Sequence, residues 1–429
     1  MSALSANPNS VTPYAAPALD PMRYQWPAEG PSRAPYWTFT DPLVYAREQE
    51  RIFRGKVWHY VGLEAEVANP GDFKATQIGE SPVLITRGED GKVYGMLNRC
   101  AHRGNLVSMK ENGNTKEFYC VYHAWVYNLK GDLTSAAFRR GIRGEGGLPA
   151  DFKLEEHGLQ KLKVETFHGL VFASFALDME PLADWLGEVG PGIQRVMKGK
   201  VRVLGYDTQR IASNWKNYHE NPRDSYHAQI LHSFYGTFGL SRQSQESGMI
   251  LASSGRHQYF YTKAGTEKNS ADYKETADKL RSTNDGLRLE DPSILNWKDE
   301  YGDGVSIQIL SVYPSFVLHQ IAHSLATRQL IPTGPDSCDL IWTYFGFEDD
   351  SPEMSERRLM QTNLVGSAGL VSMEDSAVCG MIRRAIGGAD DDASIMQMGG
   401  KDLESGGSSK LSERGLRNFW QAYRNDMGF

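Results

Sequence analysis

Cysteine is scarce in this chain, with four among 429 residues, and no long apolar or basic run occurs. Four cysteines are too few for a disulfide framework in so long a chain, so we expect a reducing, cytoplasmic setting. No apolar stretch approaches the ~18 residues that a membrane span needs. A net charge of −7 without a basic cluster excludes the electrostatic footprint of a nucleic-acid binder. Residues 1–35 lack the charged and apolar regions of a secretory signal, and we expect none.

Two of the cysteines are paired with histidines in a repeated pattern. Cys100-x-His102 is followed, after seventeen residues, by Cys120-x2-His123, so each corner holds one cysteine and one histidine in the same order. Zinc sites usually repeat two cysteines or two histidines at a corner. A mixed corner can instead give one ligand to each iron of a Rieske [2Fe-2S] cluster. We therefore predict a Rieske cluster on these four residues, with structural zinc as the alternative.

With the flanking segments CAHRGN at 100–105 and CVYHAWVYNLKGDL at 120–133, the chain resembles the large (α) subunit of the Rieske non-haem iron ring-hydroxylating oxygenases. The resemblance implies an α+β fold. It consists of a small all-β Rieske domain and a helix-grip catalytic domain, in which helices flank an antiparallel sheet. We expect an N-terminal segment at 1–55 that packs on the catalytic domain, the Rieske domain at 56–165 and the catalytic domain at 166–429.

Local sequence patterns agree with this division. Runs rich in β-branched and aromatic residues alternate with turn residues within 56–165, as in a small β domain. A second set of such runs, over residues 305–347, predicts an antiparallel meander. Helices are predicted over 352–364, 369–384 and 411–426, the first of them opened by Ser351 and Pro352 as cap and first-turn residues.

A second metal site is predicted within residues 214–232. Here Asp224, His227 and His232 match the Asp-x2-His-x4-His signature of the family, which implies that the two histidines bind a mononuclear iron. Positions five apart on a regular helix lie ~140° apart around its axis, so one metal cannot easily bridge them. We therefore expect a π-bulge or a break between the two histidines.

Two imidazoles and one carboxylate form the facial triad of non-haem Fe(II) oxygenases, which leaves positions open for O2 and substrate. In VSMEDSAV at 371–378, Asp375 aligns with the third ligand of the family, and Glu374 is the neighbouring alternative. The run from Asp390 to Asp392 is a rival that lies among small residues typical of a solvated loop. We assign Asp375 as the third ligand.

Two further residues are candidates for a role in catalysis. Asp224 lies three residues before His227, hence on the same face of a helix, and could bond the free ring nitrogen of that histidine. In the family, the corresponding carboxylate also bridges to a Rieske histidine across a subunit boundary, here the partner subunit's His123. The alternative for Asp224 is a first-turn helix acid, and the two roles are compatible. Asn221 is either a helix cap or a residue near the iron.

The resemblance implies a terminal oxygenase that hydroxylates an aromatic ring with O2. Electrons from NAD(P)H would arrive through a ferredoxin, a flavin reductase or both, and pass through the [2Fe-2S] cluster to the mononuclear Fe(II). The chain has no glycine pattern of the dinucleotide-binding type after a strand, so a partner must bind the nicotinamide. Family members form trimeric rings, often with a small β subunit, and we expect a homotrimer or an α3β3 assembly.

The runs WPAEG at 26–30, SLATRQL at 324–330 and FWQAYR at 419–424 resemble the branch of the family that acts on aromatic carboxylates. This branch contains salicylate hydroxylases and anthranilate, ortho-halobenzoate and terephthalate dioxygenases. Arg328, in an alternating strand, is the first candidate to bind a carboxylate through its planar fork of donors. The alternative is a surface or interface arginine. Arg417, on an amphipathic C-terminal helix, is the second candidate, and two such arginines would favour a dicarboxylate.

Other protein classes stay open at this point. The chain could be an iron–sulfur electron carrier or a structural protein whose second site is a relic, or it could be a zinc protein. An electron carrier would need neither the facial triad nor the domain after residue 165. The iron and sulfide content of the purified chain distinguishes these classes.

Overall fold

The computed structural model describes residue 16 and residues 18–242, 244–265 and 286–429. Contacts within the described chain define two compact units. The first contains residues 47–182, and the second contains residues 18–46 and 183–429. Residues 1–15 and 17 of the expected N-terminal segment lie outside the described residues.

The N-terminal segment ends earlier than expected. In the second unit, Arg33–Pro35 pairs antiparallel with Ala393–Ile395, and the ring of Trp37 packs edge-on against Phe429, with 4.9 Å between centroids. Residues 47–55 belong to the first unit instead. There the Gln49 side chain accepts a hydrogen bond from the backbone N–H of Glu80 at 2.9 Å. The predicted boundary at 55 therefore moves to 46.

The first unit is built from two antiparallel sheets that share a core. The larger sheet has seven strands, in the spatial order His59–Leu63, Leu170–Ser174, Lys161–Phe167, Val93–Leu97, Ser81–Arg87, Asp72–Ile78 and Asn112–Asn114. The smaller sheet has three, in the order Glu117–Tyr119, Trp125–Asn128 and Leu133–Ala136. Phe73, Leu84 and Met96 from the larger sheet pack with Trp125 and Tyr127 from the smaller one in a single buried cluster. This all-β unit is the predicted cluster domain.

The first unit also extends beyond residue 165, its C-terminal boundary predicted from sequence. The strand Lys161–Phe167 crosses the predicted boundary at 165 and forms a hairpin with Leu170–Ser174. The second strand of this hairpin pairs in turn with His59–Leu63 near the start of the unit. Because both strands supply ladder hydrogen bonds to the sheet, the unit cannot end before residue 174.

The second unit is organised by a seven-stranded antiparallel sheet. Its strands follow the spatial order Val201–Ile211, Ser337–Phe347, Ser324–Gly334, Phe316–Ile321, Val305–Val312, Gln258–Lys263 and Ser247–Leu251. Four of these strands form the predicted meander over 305–347. The predicted antiparallel sheet of the α+β fold is therefore confirmed.

Helices accompany this sheet, and the α-helices of the described chain are Trp37–Thr40, Pro42–Glu48, Leu182–Leu186, Gly190–Val196, Trp215–Glu220, Ala228–Leu231, Ser233–Phe238, Pro352–Met360, Thr362–Val365, Leu370–Ala385 and Arg414–Met427. The predicted cap is present, since the Ser351 hydroxyl accepts the N–H of Met354 at 3.2 Å. Among the described helices, none is both long and apolar enough to cross a membrane.

The longest helix of the described residues, Leu370–Ala385, carries a polar residue on its buried face. Val371, Asp375 and Cys379 follow a spacing of four residues and are all buried, so they share that face. All four cysteines of the chain are buried, and none of them forms a disulfide. A carboxylate on a buried face requires a partner, because an unpaired buried charge is costly.

Candidate functional site

Three side chains from two segments of the second unit converge on one point. His227 and His232 flank the helix Ala228–Leu231, and Asp375 comes from the helix Leu370–Ala385. The Asp375 Oδ1 atom lies 3.5 Å from His227 Nε2 and 3.2 Å from His232 Nε2. One ligand atom of each residue lies within 4.8 Å of the others. A single metal ion can therefore contact all three residues of the predicted set.

The backbone between the two histidines is broken, as their spacing predicts. The helix between them has only four residues, with His227 at its N-cap and His232 at its C-cap. The φ and ψ angles of His232, −88° and 82°, are not helical. Because the chain leaves the helix at this residue, both imidazoles can face the same point. The predicted break is confirmed.

A carboxylate lies next to the Nδ1 atom of each histidine, the ring nitrogen that faces away from Asp375. His232 Nδ1 lies 2.7 Å from a carboxylate oxygen of Glu374, and His227 Nδ1 lies 3.6 Å from Asp224 Oδ2. Such partners fix the ring orientation and the tautomer, and so leave Nε2 for a metal. Glu374, the sequence alternative to Asp375, thus lies behind His232 and orients its ring.

The other rival carboxylates lie at the surface. Asp390, Asp391 and Asp392 are exposed, and Asp390 accepts a hydrogen bond from the Thr40 hydroxyl at 3.0 Å. Solvated carboxylates of this kind bind a single ion weakly compared with a buried, converging set. The geometry therefore favours Asp375 over Asp390, Asp391 and Asp392 as the third metal ligand.

The expected helical relation between Asp224 and His227 is wrong. Asp224 lies at the C-cap of the 3-10 helix Asn221–Arg223, with a ψ of 89°, so the two residues share no helix and Asp224 is not a first-turn acid. Their side chains meet because the chain turns after residue 223. Asn221 lies near the metal ligands, since its Nδ2 donates to Asp375 Oδ1 at 2.9 Å and is 3.4 Å from His227 Nε2.

The electrostatics of the three ligands suit a cation. Burial alone lowers the pKa of His227, but Asp224 and Asp375 outweigh it and raise that pKa to about 10. Burial alone would raise the pKa of Asp375, yet the two histidines hold it well below its usual range. The ionised carboxylates that stabilise a proton on His227 would stabilise a bound divalent cation in the same way. Two imidazoles and one carboxylate are the donor set of non-haem Fe(II) sites, so the residues fit that ion.

The four predicted cluster ligands lie on two loops of the first unit. The loop at Cys100 closes through the N–H of Gly104, which donates to the Cys100 carbonyl at 3.0 Å, and the loop at Cys120 closes through Ala124 at 2.9 Å. Gly104 and Ala124 have φ angles of +73° and +49°, as such tight turns require. The rings of His102 and His123 are 4.5 Å apart between centroids. The loops thus bring the two Cys-His corners together.

Burial separates the two kinds of ligand. Both cysteines are buried, whereas His102 is exposed and His123 is half-buried. Burial raises the pKa of the Cys100 thiol, the Tyr127 hydroxyl opposes this, and Cys120 adds to it. Burial and the neighbouring His123 lower the pKa of His102, which keeps its ring neutral, as a metal ligand must be. Two inner thiols and two outer imidazoles fit a Rieske [2Fe-2S] cluster.

Tyr127 supports the inner side of this site, although no sequence motif identifies it. Its hydroxyl is 3.2 Å from Cys100 Sγ and accepts the N–H of Ala101 at 3.1 Å. Because the oxygen already accepts from a backbone donor, its own proton can be donated to the sulfur. From the sequence, Tyr127 can be recognised only as an inward-facing residue of the strand Trp125–Asn128, next to the loop that carries Cys120 and His123.

We expect Tyr127→Phe to lower the reduction potential of the cluster. A hydrogen bond to a ligand sulfur stabilises the more negative, reduced form. A net value of ~0.5–1.5 kcal/mol for one hydrogen bond corresponds to roughly 20–60 mV for a one-electron couple. Potentiometric titration measures the shift, and Tyr119→Phe, at an exposed tyrosine on the neighbouring strand, is the control. An unchanged potential in Tyr127→Phe would limit this tyrosine to packing.

A cavity of about 40 Å³ adjoins the three converging metal ligands. Its polar lining includes those ligands, Asn221, Asp224, Tyr235 and Arg328, and its apolar lining includes Phe260, Ile309, Ile321, Val365 and Val371. A second cavity of about 170 Å³ shares Ile321 and Val365 with it and is lined mainly by apolar side chains. A small cavity with several polar groups beside a larger apolar one suits a ligand with a polar end and an apolar body.

Arg328, the first sequence candidate to bind a carboxylate, lines the smaller cavity. Its side chain is buried, and it lies over the ring of Trp342 at 4.3 Å. Nε and one terminal nitrogen contact His319 Nδ1 at 3.1 and 2.7 Å, and the other terminal nitrogen donates to the Tyr218 hydroxyl at 3.0 Å. The structure contradicts the surface-arginine alternative.

The partners of Arg328 are uncharged. Burial and the guanidinium itself hold the pKa of His319 well below its usual range, and burial raises the pKa of Tyr218 to about 12. The contacts therefore orient the guanidinium and leave its charge without a counterion among these partners. A bound carboxylate would supply that counterion.

Arg417 has a different role from the expected one. It is fully buried, and its guanidinium donates to the backbone carbonyls of Met396, Met398, Asp402 and Ser405. These bonds satisfy the carbonyls of an irregular segment that precedes the last helix. The prediction that Arg417 binds substrate is therefore wrong, because four of its five donors hold the backbone.

His319 and Tyr218, like Tyr127, were not identified as site residues from sequence. His319 reaches Arg328 because the strand pairing sets Val317 opposite Arg328 and places His319 diagonally across. A correct register for the two strands would have found this contact. No local motif marks Tyr218, which lies on a different segment from either strand.

Comparison with known families is consistent with both sites. A model of the Rieske [2Fe-2S] domain matches residues 57–143. A model described as the ring hydroxylating alpha subunit, catalytic domain, matches residues 197–428. The first range includes all four cluster ligands, and the second includes His227, His232 and Asp375.

Three curated relatives are similar over nearly the whole chain. The alpha 2 subunit of the terminal oxygenase component of terephthalate 1,2-dioxygenase from Comamonas sp is 47% identical over 94% of this chain and 97% of the relative. The large subunit of anthranilate 1,2-dioxygenase from Burkholderia cepacia is 41% identical over 96% and 97%. The large oxygenase component of salicylate 5-hydroxylase from Ralstonia sp is 40% identical over 95% and 97%.

Among solved structures, naphthalene 1,2-dioxygenase from Rhodococcus sp superposes with a TM-score of 0.77. The match covers 92% of this chain and 94% of that one, at 22% sequence identity. At this identity the similarity establishes the fold, namely an all-β domain joined to an antiparallel sheet with flanking helices.

Proposed function

We propose that this chain, which belongs to the family of Rieske ring-hydroxylating oxygenase α subunits, hydroxylates an aromatic monocarboxylate of the salicylate or anthranilate type. The observation that carries the proposal is a buried arginine, Arg328, in the cavity next to His227, His232 and Asp375. A carboxylate that enters this cavity loses its hydration, and the guanidinium replaces it with charge-assisted hydrogen bonds. The apolar lining then holds the ring.

The residues around the cavity have separable tasks. When bound, the mononuclear iron supplies the position where O2 is activated, and the [2Fe-2S] cluster supplies electrons. Asp224 and Glu374 hold the outer nitrogens of the two histidines, so that both rings keep a fixed orientation. Asn221 donates to Asp375 and limits the movement of that carboxylate. Arg328 fixes the carboxylate of the substrate, and therefore the ring position that faces the ligands.

A terephthalate-type dicarboxylate is the second candidate, since the relative with 47% identity is named for terephthalate. A second carboxylate would need a second cation in the site. Arg328 is the one arginine or lysine in the described lining of the two cavities. Because the second cavity is mainly apolar, we favour the monocarboxylate.

The proposal is tested by turnover of a small set of rings with a reconstituted electron chain. The set contains salicylate, anthranilate, benzoate, terephthalate and the uncharged benzamide. We expect kcat/KM to be highest for one of the monocarboxylates and lowest for benzamide. Preferred turnover of terephthalate would replace the monocarboxylate by the second candidate, and equal turnover of benzamide would contradict recognition of a carboxylate.

Assembly and electron supply are also proposed on family grounds. The relatives are terminal components and large subunits, so we infer that this chain receives electrons from a ferredoxin or a flavin reductase that oxidises NAD(P)H. We further infer a trimer, with or without a small β subunit, in which Asp224 links His227 to the partner subunit's His123. The low cysteine content supports a cytoplasmic location.

We expect Asp224→Asn to retain both metal centres but to slow reoxidation of the reduced cluster in the presence of substrate and O2. The amide removes the charge that orients His227, and outer partners of metal ligands typically contribute ~10–100-fold to activity. Stopped-flow absorbance follows the reoxidation. Asp339→Asn, at a carboxylate paired with Arg210, makes the same chemical change away from the cavity. Normal reoxidation in Asp224→Asn would exclude the linking role.

A further inference from the structure

Tyr235 presents a buried hydroxyl that has no hydrogen-bond partner among the described residues. Its side chain is 4% exposed and lines the cavity next to the metal ligands. Other buried polar atoms of the described chain also lack a partner, but Tyr235 is the one whose side chain lines this cavity. An unsatisfied buried hydroxyl costs free energy, which a polar atom of a ligand would recover.

The position of this tyrosine is fixed by the metal site itself. Tyr235 lies on the helix Ser233–Phe238, which begins directly after His232. Its ring packs edge-on against the imidazole of His232, with 5.6 Å between centroids and an interplanar angle of 71°. The backbone N–H of Tyr235 donates to the His232 carbonyl at 2.9 Å. The ring that carries the hydroxyl is therefore held in place by contacts with His232 and cannot easily withdraw from the cavity.

The hydroxyl stays protonated at neutral pH and can both donate and accept. Burial raises the pKa of Tyr235, and the charges of Asp375 and Glu374 add to this, whereas Arg328 opposes it. A phenylalanine would fill the same apolar surroundings, which include Met249 and Phe260, without the unmet hydroxyl. The hydroxyl thus has no structural task among the described contacts, and the cavity is where it can find one.

We propose that Tyr235 recognises a hydroxyl or amino group on the ring carbon next to the carboxylate of the substrate. The inference rests on the proposed function, in which Arg328 binds that carboxylate. Both side chains line the same small cavity of about 40 Å³, as recognition of two groups on neighbouring ring carbons requires. The apolar edge of the ring then extends toward the second cavity past Ile321 and Val365. Tyr235 is thus a specificity-determining residue for ortho-substituted benzoates.

The test compares Tyr235→Phe with the wild-type holoenzyme on benzoate, salicylate, 3-hydroxybenzoate and 4-hydroxybenzoate. We expect kcat/KM for salicylate to fall about tenfold, equivalent to ~1.4 kcal/mol, with the values for the other three rings within about twofold of wild type. The dissociation constant of salicylate, measured by thermal shift without electron donor, should rise by the same factor. Tyr313→Phe, at a buried tyrosine that packs against Phe419, is the matched control and should leave all four rings unchanged.

Three results would overturn the inference. One is an equal loss for benzoate and salicylate at unchanged iron content, since it would make Tyr235 a packing residue. Another is a loss for 4-hydroxybenzoate that exceeds the loss for salicylate, since it would place the recognised group elsewhere on the ring. The third is a wild-type enzyme that neither binds nor hydroxylates any benzoate. Only this third result also removes the proposed function.

Discussion

Replacing Asp375 by alanine should abolish hydroxylation while the Rieske cluster remains intact. Asp375 Oδ1 lies within 3.5 Å of the facing nitrogens of both histidines, so its loss removes the one anionic ligand of the mononuclear site. Removal of an outer partner of a metal ligand typically costs ~10–100-fold, and the loss for a direct ligand should exceed that range. Iron analysis should show one iron fewer per chain, with unchanged sulfide and an unchanged cluster spectrum.

Two variants set the scale for Asp375→Ala. Glu374→Gln, which weakens the contact with His232 Nδ1, should retain the iron and lose activity within the outer-partner range. Asp390→Ala, at an exposed carboxylate, should behave as wild type. Substantial turnover in Asp375→Ala, or a greater loss in Asp390→Ala, would show that the third ligand lies elsewhere.

The second large effect is expected at Arg328. Hydrogen bonds to a charged group contribute roughly 1.5–3 kcal/mol each, so Arg328→Leu should lower kcat/KM for a benzoate at least about tenfold. Turnover of the neutral benzamide should change little. Arg328→Lys should recover only part of the loss, because a point charge cannot replace a planar fork of donors.

Arg417 provides the contrast. Arg417→Leu removes four bonds to backbone carbonyls, so it should lower the melting temperature and reduce activity on charged and neutral rings alike. Kinetics on both ring types, together with thermal unfolding, separate the two outcomes. If Arg328→Leu instead followed the pattern of Arg417→Leu, Arg328 would be structural, and the carboxylate assignment would rest on relatives alone.

The metal ligands could be predicted from sequence because their chemistry requires fixed residue types at fixed spacings. Two Cys-His corners and a pair of histidines five positions apart are visible in the chain, and the spacing also predicts the break at His232. Asp375 was assigned only by alignment with the family, since it lies 143 positions after His232 and no local pattern ties it to the histidines. Its position on the buried face of a helix explains how it reaches them.

The surroundings of the ligands could not be predicted with the same success. Arg328 lies within a run that resembles the family, and Arg417 lies two residues before another. Only their hydrogen bonds distinguish the guanidinium that lines a cavity from the one that binds backbone carbonyls. The contact of Asp224 with His227 was predicted for the wrong reason, because the 3-10 helix ends at Arg223 and the two residues share no helix. The roles of Tyr127 and Tyr235 depend on which face of a strand or helix lies against the metal site. Tertiary packing decides which face that is.

The central claim is that electrons stored in the cluster of this chain are used to hydroxylate a ring at its mononuclear site. The most direct measurement is a single turnover. The holoenzyme, chemically reduced and freed of reductant, is mixed with salicylate and 18O2, without other proteins. Cluster oxidation and product are then followed by absorbance and mass spectrometry. We expect the cluster to become oxidised together with formation of an 18O-labelled hydroxylated product, and no product in Asp375→Ala. Oxidation of the cluster without labelled product from any benzoate would mean that the chain carries electrons but is not the oxygenase.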